Sequence, residues 1–260
     1  MRGFRFVAAS GVAFLIASVV LIGQSKTAQP VASRTYPVTW SSELKLKSLA
    51  DIPERLKQPF SQEEMDGLRE VTEKGIGGLD APVSRNCEEL LQTADGQPAH
   101  ADGFRTDEWG TLGVRCAALR ALKTAIPAKR SFLHDLPWTV RLFSLLPVAS
   151  KWGSDTLLDE ELRAAQEKGL SIREFCPRGK FTAKSGELSQ QDDDDDRSVP
   201  WWAGYAKIAS GDFDGDGLED IVMWATGGSG HSPRRRDYLY LLTRTKPGRN
   251  TKLTLLKRLY

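Results

Sequence analysis

The 260-residue sequence predicts an α+β fold, a helical middle region followed by a C-terminal antiparallel sheet. Two observations carry that prediction. Between residues 61 and 169, apolar side chains recur at three- and four-residue spacing between capping residues and glycines, as in amphipathic helices. After Cys176 the apolar runs become short, aromatic or β-branched and are separated by turn residues, as in strands. The expected divisions are an N-terminal export segment (1–25), a linker (26–40), a mainly helical region (41–176) and a β-rich region (177–260).

The export segment rests on Arg2 and Arg5, a short basic head, and on "FVAASGVAFLIASVVLIGQS", uncharged from Phe6 to Ser25. Gly23 and Ser25 are small residues suitably placed for cleavage before Lys26, so a secretory signal peptide is expected. A stretch of about 20 residues can also remain in the bilayer as an anchor. No cysteine follows it, which argues against a lipid-modified terminus. Either route places the body of the chain in the periplasm or outside the cell, with membrane contact only through this segment.

In order along the chain, "ELKLKSL" (Glu43–Leu49) alternates apolar and charged residues and suits a short strand. Ser61 with Glu64 forms a capping box for a helix that Gly75 can end. Asn86 caps a second helix through "CEELLQTA". Thr106 or Asp107 starts a third, with Leu112, Cys116, Leu119 and Leu122 on its apolar face. Ser154 is placed to cap a fourth, with Gly169 at its end. "WTVRLFSLLPV" (Trp138–Val148) is a core segment, too short and too charged to span a membrane. Exported cysteines meet an oxidising compartment, so one disulfide and one free thiol are the simplest use of Cys87, Cys116 and Cys176. Three pairings are possible. A Cys87–Cys116 bridge would tie two helices together; three buried thiols are the alternative.

The C-terminal strands are "FTAKSGELSQQ", "WWAGYAKIAS", "DIVMWAT", "DYLYLLTRT" and "TKLTLLKRLY". A solvated acidic run, Asp192–Asp196, interrupts the first two. Net charge is only +2, so no global field draws the chain to nucleic acid. Charge is nevertheless split locally. Residues 192–220 carry ten acids against two bases, and residues 231–260 nine bases against one acid, so the two stretches suit different or mutually facing neighbours.

The acidic stretch ends in "SGDFDGDGLEDIVMW" (Ser210–Trp224), where Asp212, Asp214 and Asp216 occupy alternate positions, Gly217 follows, and Asp220 closes the loop. Calcium takes six to eight oxygen ligands, and alternate side chains of a tight turn can converge on it. Gly217 permits the turn that lets the Leu218 carbonyl face inward. Met223 stands where a helix-loop-helix calcium hand has a bidentate glutamate, and both flanks read as strands. "GDFDGDGLEDIVMW" thus resembles the FG-GAP or VCBS repeat, the calcium-loop hairpin of integrin-α-type propeller blades. The resemblance implies that Asp212, Asp214, Asp216, the Leu218 carbonyl and Asp220 ligate a structural calcium ion, with Glu219 pointing away. One copy does not make a propeller, so a single clipped hairpin at 212–220 within the α+β domain is expected.

Other constellations carry less. His134 beside Asp135, with His100 and His231, could supply a general base but no nucleophile signature accompanies them. "SELK" at Ser42 lacks the companions of a Ser-x-x-Lys enzyme. "GGSGHSPRRR" (Gly227–Arg236) lacks the ending of a phosphate loop and reads as a hairpin loop whose Arg234, Arg235 and Arg236 could meet an acidic surface. Trp201 and Trp202 are binding candidates, with core packing as the alternative. The expected function is a non-catalytic envelope binding or interaction protein with another envelope or secreted protein as partner. Alternatives are a periplasmic inhibitor or immunity protein against a toxin or wall-degrading enzyme, and a calcium-dependent hydrolase using His134 or His231.

Overall fold

Strand pairing in the C-terminal third organises the molecule. The computed structural model describes residues 35–66, 84–95, 107–133, 136, 138–148, 159–184, 187–192, 201–229, 235–248 and 251–259. The strands are β1 (Thr39–Trp40), β2 (Lys180–Lys184), β3 (Glu187–Asp192), β4 (Trp201–Gly211), β5 (Asp220–Ser229), β6 (Arg235–Thr243) and β7 (Thr254–Arg258). From β2 to β7 each pairs antiparallel with the next, and β1 joins the far end of β4 at Ala209 and Ser210. The sheet is open, so the chain is α+β and neither a barrel nor a propeller.

The central strands are apolar almost without interruption because both faces of the sheet are covered. On β6, Leu239 and Leu241 enter one core while Tyr240 and Leu242 enter the other. On β5, Val222 joins the first and Ile221, Met223 and Ala225 the second. This is the period-two alternation of a strand used on both sides. A register shift between Lys207 and Ala209 changes the parity of β4. Its Ala203 and Tyr205 accordingly sit in the second core, and Ile208 and Ala209 in the first.

The first core is roofed by α1 (Ile52–Lys57), α2 (Cys87–Asp95) and α3 (Asp107–Leu122). Leu112, Cys116, Leu119 and Leu122 are all buried there, as their spacing predicts. A disulfide joins Cys87 to Cys116 with the Cα atoms 5.1 Å apart, and the buried Cys176 stands outside it. The second core is built from the 3₁₀ helix Val140–Ser144 and its continuation, with α4 (Asp159–Glu167) and α5 (Ile172–Phe175) following. Phe143 is its centre, 4.6 Å from the Phe181 ring and 5.4 Å from Tyr205 in an edge-on contact. Helical and β-rich stretches fold as one compact unit, Arg34–Tyr260.

Helix ends follow local chemistry. Ser61 N–H donates to the Glu64 carboxylate at 2.7 Å and Glu64 N–H returns to the Ser61 hydroxyl at 3.3 Å. Asn86 accepts from Glu89 N–H at 3.0 Å. Gly169, φ +62°, lies two residues beyond α4. Gly75, Thr106 and Ser154 lie outside the described residues, as does the apolar stretch at the N-terminus. Among the described residues no helix is long and apolar enough to cross a membrane.

Two local expectations are corrected. Residues 43–49 are not a strand; 3₁₀ turns at Ser42–Leu44 and Leu49–Asp51 take their place. Ser41 accepts from Glu43 N–H, Lys45 adopts a left-handed φ of 51°, and Asp51 accepts from the N–H groups of Lys47 and Ser48. Side chains of this kind offer the backbone local partners that outcompete a ladder. The Gly227–Arg236 loop is also shorter than expected. Gly227 pairs with Arg236 and Gly228 with Arg235 within the β5–β6 ladder, so only residues 230–234, outside the described set, are left for the turn.

The disulfide closes a loop with a sequence separation of 29, for which chain entropy gives roughly 3–4 kcal/mol. Reduction with a phosphine is expected to lower the melting temperature by about 6–16 °C. A melting curve indifferent to reductant would show that the bridge contributes nothing to stability.

Candidate metal centre

β4 and β5 form one long hairpin, and residues 212–219 are its connection. Asp212 and Asp220 are buried at its base, whereas Asp214 and Asp216 are exposed at its tip. The carboxylates fold the loop around themselves. Asp212 accepts from Gly215 N–H at 2.7 Å and Gly217 N–H at 2.9 Å. Asp214 accepts from Asp216 N–H at 3.1 Å, Asp216 from Leu218 N–H at 2.7 Å, and Asp220 from Phe213 N–H at 3.0 Å. Such turns need residues at ease with positive φ, and Gly215 and Gly217 stand at +85° and +83°. A Cβ on Gly217 would have room, 3.7 Å from Lys129, so its constraint is backbone conformation rather than space.

The arrangement brings one carboxylate oxygen each of Asp212, Asp214 and Asp216 within 4.8 Å of one another. Ligands at 2.3–2.6 Å from a shared calcium-sized ion are separated by distances of that order. These three residues could therefore hold a metal ion. Their donors are all hard oxygens, the set that suits calcium, magnesium or manganese rather than zinc.

Asp220 supplies an independent sign of an absent partner. Its side chain is fully buried, and Oδ1 has no hydrogen-bond partner although Oδ2 is satisfied by Phe213. Burial pushes its carboxyl up to about 6, opposed by the Phe213 N–H and by the Thr243 hydroxyl across the ladder and assisted by the charges of Asp214 and Asp216. An unpartnered buried carboxylate oxygen is costly. A cation beside it would supply the missing contact and favour the ionised form.

A segment that no sequence pattern marks holds the loop from outside. Ile126 exchanges both backbone hydrogen bonds with Asp212, at 3.0 and 2.9 Å. Gly217 O accepts from Lys129 and Arg130 N–H at 2.9 and 3.0 Å, and Glu219 N–H donates to Arg130 O at 2.8 Å. Ala128 pairs in turn with Tyr36. Residues 126–131 thus grip both shoulders of the loop. Pro127, extended and without an N–H, is the one sequence hint that α3 must give way to such a strap. Glu219 is buried and accepts from the Ser131 hydroxyl, which in turn accepts from Leu133 N–H at 2.9 Å. Leu218 is bridged to Arg130 in the gripped part of the loop.

The remaining candidates lie elsewhere. Trp201 and Trp202 open β4, opposite Ser229 and Gly228, with Arg235 and Arg236 next across β6. An 11-residue strand separates that end from the loop, roughly 30 Å at about 3.3 Å per residue. The structure therefore gathers Trp201, Trp202, Arg235 and Arg236 at one end of the hairpin and the acidic loop at the other. Arg234 and the three histidines, His100, His134 and His231, lie outside the described residues.

No family model matches the chain, and no curated protein or solved structure matches it either.

Proposed function

We propose that this is an exported, non-catalytic binding or interaction protein of the cell envelope whose central hairpin is clipped by a structural calcium ion. The observation that carries the reading is the loop: three converging carboxylates, and beside them the buried Asp220 with one oxygen unpartnered. Calcium ligation by Asp212, Asp214, Asp216, the Leu218 carbonyl and Asp220 gives the FG-GAP-type hairpin a structural rather than catalytic task, since so many protein oxygens leave few positions for a substrate. Export is supported by the basic-then-apolar N-terminus and by the Cys87–Cys116 bridge, which persists in oxidising compartments. Extracellular calcium modules bind at about 10⁻⁴–10⁻³ M, weak enough to be empty in the cytosol and filled outside it. The partner is another envelope or secreted protein.

Three outcomes are expected. Calcium at tenfold its Kd stabilises by about 1.4 kcal/mol, a rise in melting temperature of about 3–6 °C. Chelator should remove that rise and Asp216→Ala should abolish it, whereas unchanged curves in both experiments would end the structural role.

The calcium effect should also depend on pH. Metal-free Asp220 keeps its proton up to about pH 6, above the ordinary 3.8, so its contribution to metal-free stability is complete below about pH 4 and lost as pH rises through 6. Calcium requires the ionised form. The calcium-induced rise should therefore shrink from pH 7 to pH 5 while the chelated protein gains from this group; equal calcium shifts at both pH values would contradict it.

An alkaline phosphatase reporter fused after Gln29 should be active outside the cytoplasm. Activity confined to the cytoplasm would refute export.

A further inference from the structure

On the first-core side of the fold, away from the acidic loop, a cavity of about 260 Å³ opens between the Ser42–Leu44 turn, α1 and α3. Its chemistry is lopsided. Lys45 comes from the end of the turn, Arg55 from α1 and Arg115 from α3, and among the described residues Glu64 is the one carboxylate that lines it. Glu64 is already committed. It accepts from Arg115 Nη1 at 2.5 Å and from Ser61 N–H at 2.7 Å, and these partners hold its carboxyl below the usual range despite partial burial. Among the described lining residues three cations stand against one engaged acid, an excess of two positive charges.

One of the cationic groups is also positioned in advance. The Arg115 guanidinium is held by Glu64 and lies 5.9 Å from the Phe60 ring centroid, with one hydrogen bond among the described residues and its other N–H groups left to donate. Lys45 makes no ion pair among the described residues. Its left-handed φ of 51° closes the Ser42–Leu44 turn, where its own N–H donates to Ser42 O at 2.9 Å. Arg55 donates to Gln58 at the rim. Leu119 and Phe60 are the apolar part of a mainly polar lining, and Cys87 of the disulfide fixes its wall. A planar fork with an ammonium on the same cavity wall is the donor set that recognises an oxyanion.

We propose that this cavity binds the oxyanion of a small ligand, a phosphate or a carboxylate group with a few attached atoms. Its volume falls just below the usual range for ligand sites, which suits a small anionic group rather than a large molecule. The proposal does not rest on calcium, because no loop carboxylate lines the cavity.

The test is a thermal-shift titration of the mature protein with inorganic phosphate and, separately, with malonate, each against chloride at equal ionic strength and in the presence of chelator. At tenfold its Kd the recognised anion is expected to raise the melting temperature by about 3–6 °C. A shift with phosphate alone identifies the phosphate class, and one with malonate alone the carboxylate class. The double variant K45E/R55E changes exposed or rim positions and keeps the Arg115–Glu64 pair, so it should melt near the parent temperature without anion and lose the shift with it. Phosphate also stabilises proteins by exclusion from their surface, so equal shifts in parent and variant would overturn the proposal. Absence of any shift would overturn it as well.

Discussion

Repulsion among carboxylates acts at the turn that joins the two central strands of the sheet, and the surroundings of that turn are arranged to contain it. Two unit charges about 5 Å apart repel by less than 1 kcal/mol in water but by about 3 kcal/mol at an effective dielectric constant of 20. Exposed Asp214 and Asp216 therefore cost little, and the demand for a counter-charge comes from the buried pair, Asp212 and Asp220. Hydrogen bonds from loop N–H groups set the shape of the turn without removing its charge. Asp212 spends both oxygens on such bonds, whereas Asp220 spends one and leaves the other facing protein. Burial, more than the number of acids, is what makes a cation fit here.

The position of the turn gives this local problem a wider reach. The strap 126–131 begins where α3 ends and leads into Leu133, so the chain passes from the first core to the second while hydrogen-bonded to the loop. β1 and Val38 press on the same place; a Cβ on Gly211 would stand only 3.1 Å from the Val38 side chain. Disorder in residues 212–219 would consequently release the strap, and with it the crossing that lets one sheet serve two cores. The acidic loop and the disulfide act on neighbouring parts of this route. Cys116 fixes α3 to α2, and the strap starts at Ile126, just beyond the end of α3.

Much of this was legible in the sequence, for identifiable reasons. Helices were readable where caps and apolar spacing agreed, as at Ser61–Glu64, at Asn86 and along Leu112–Leu122. The hairpin and the acidic cluster were readable because glycines and alternate aspartates have few other uses in a turn. Residues 43–49 misled because alternation is a weak signal against Ser41, Lys45 and Asp51, which satisfy the backbone locally. Gly227 and Gly228 misled in the opposite direction, since glycines inside a ladder look like a turn until their partners are known. The strap and the basic cavity were invisible for a different reason. Each exists only through contacts between distant segments, 126–131 with 212–219, and residue 45 with 55 and 115.

The separation of chemistries across the molecule bears on how it can work. Aromatic and basic candidates stand at one end of the β4–β5 hairpin and the acidic loop at the other, an 11-residue strand apart, too far for one small ligand to touch both. The basic cavity belongs to the helical layer over the first core, and its wall is fixed by the disulfide rather than by the loop. A cation in the loop would therefore secure the scaffold without entering a binding event at either other place. That division of labour is physically economical: rigid elements hold a site more accurately than loops do, and a clip distant from the contact surface can be saturated without competing for it.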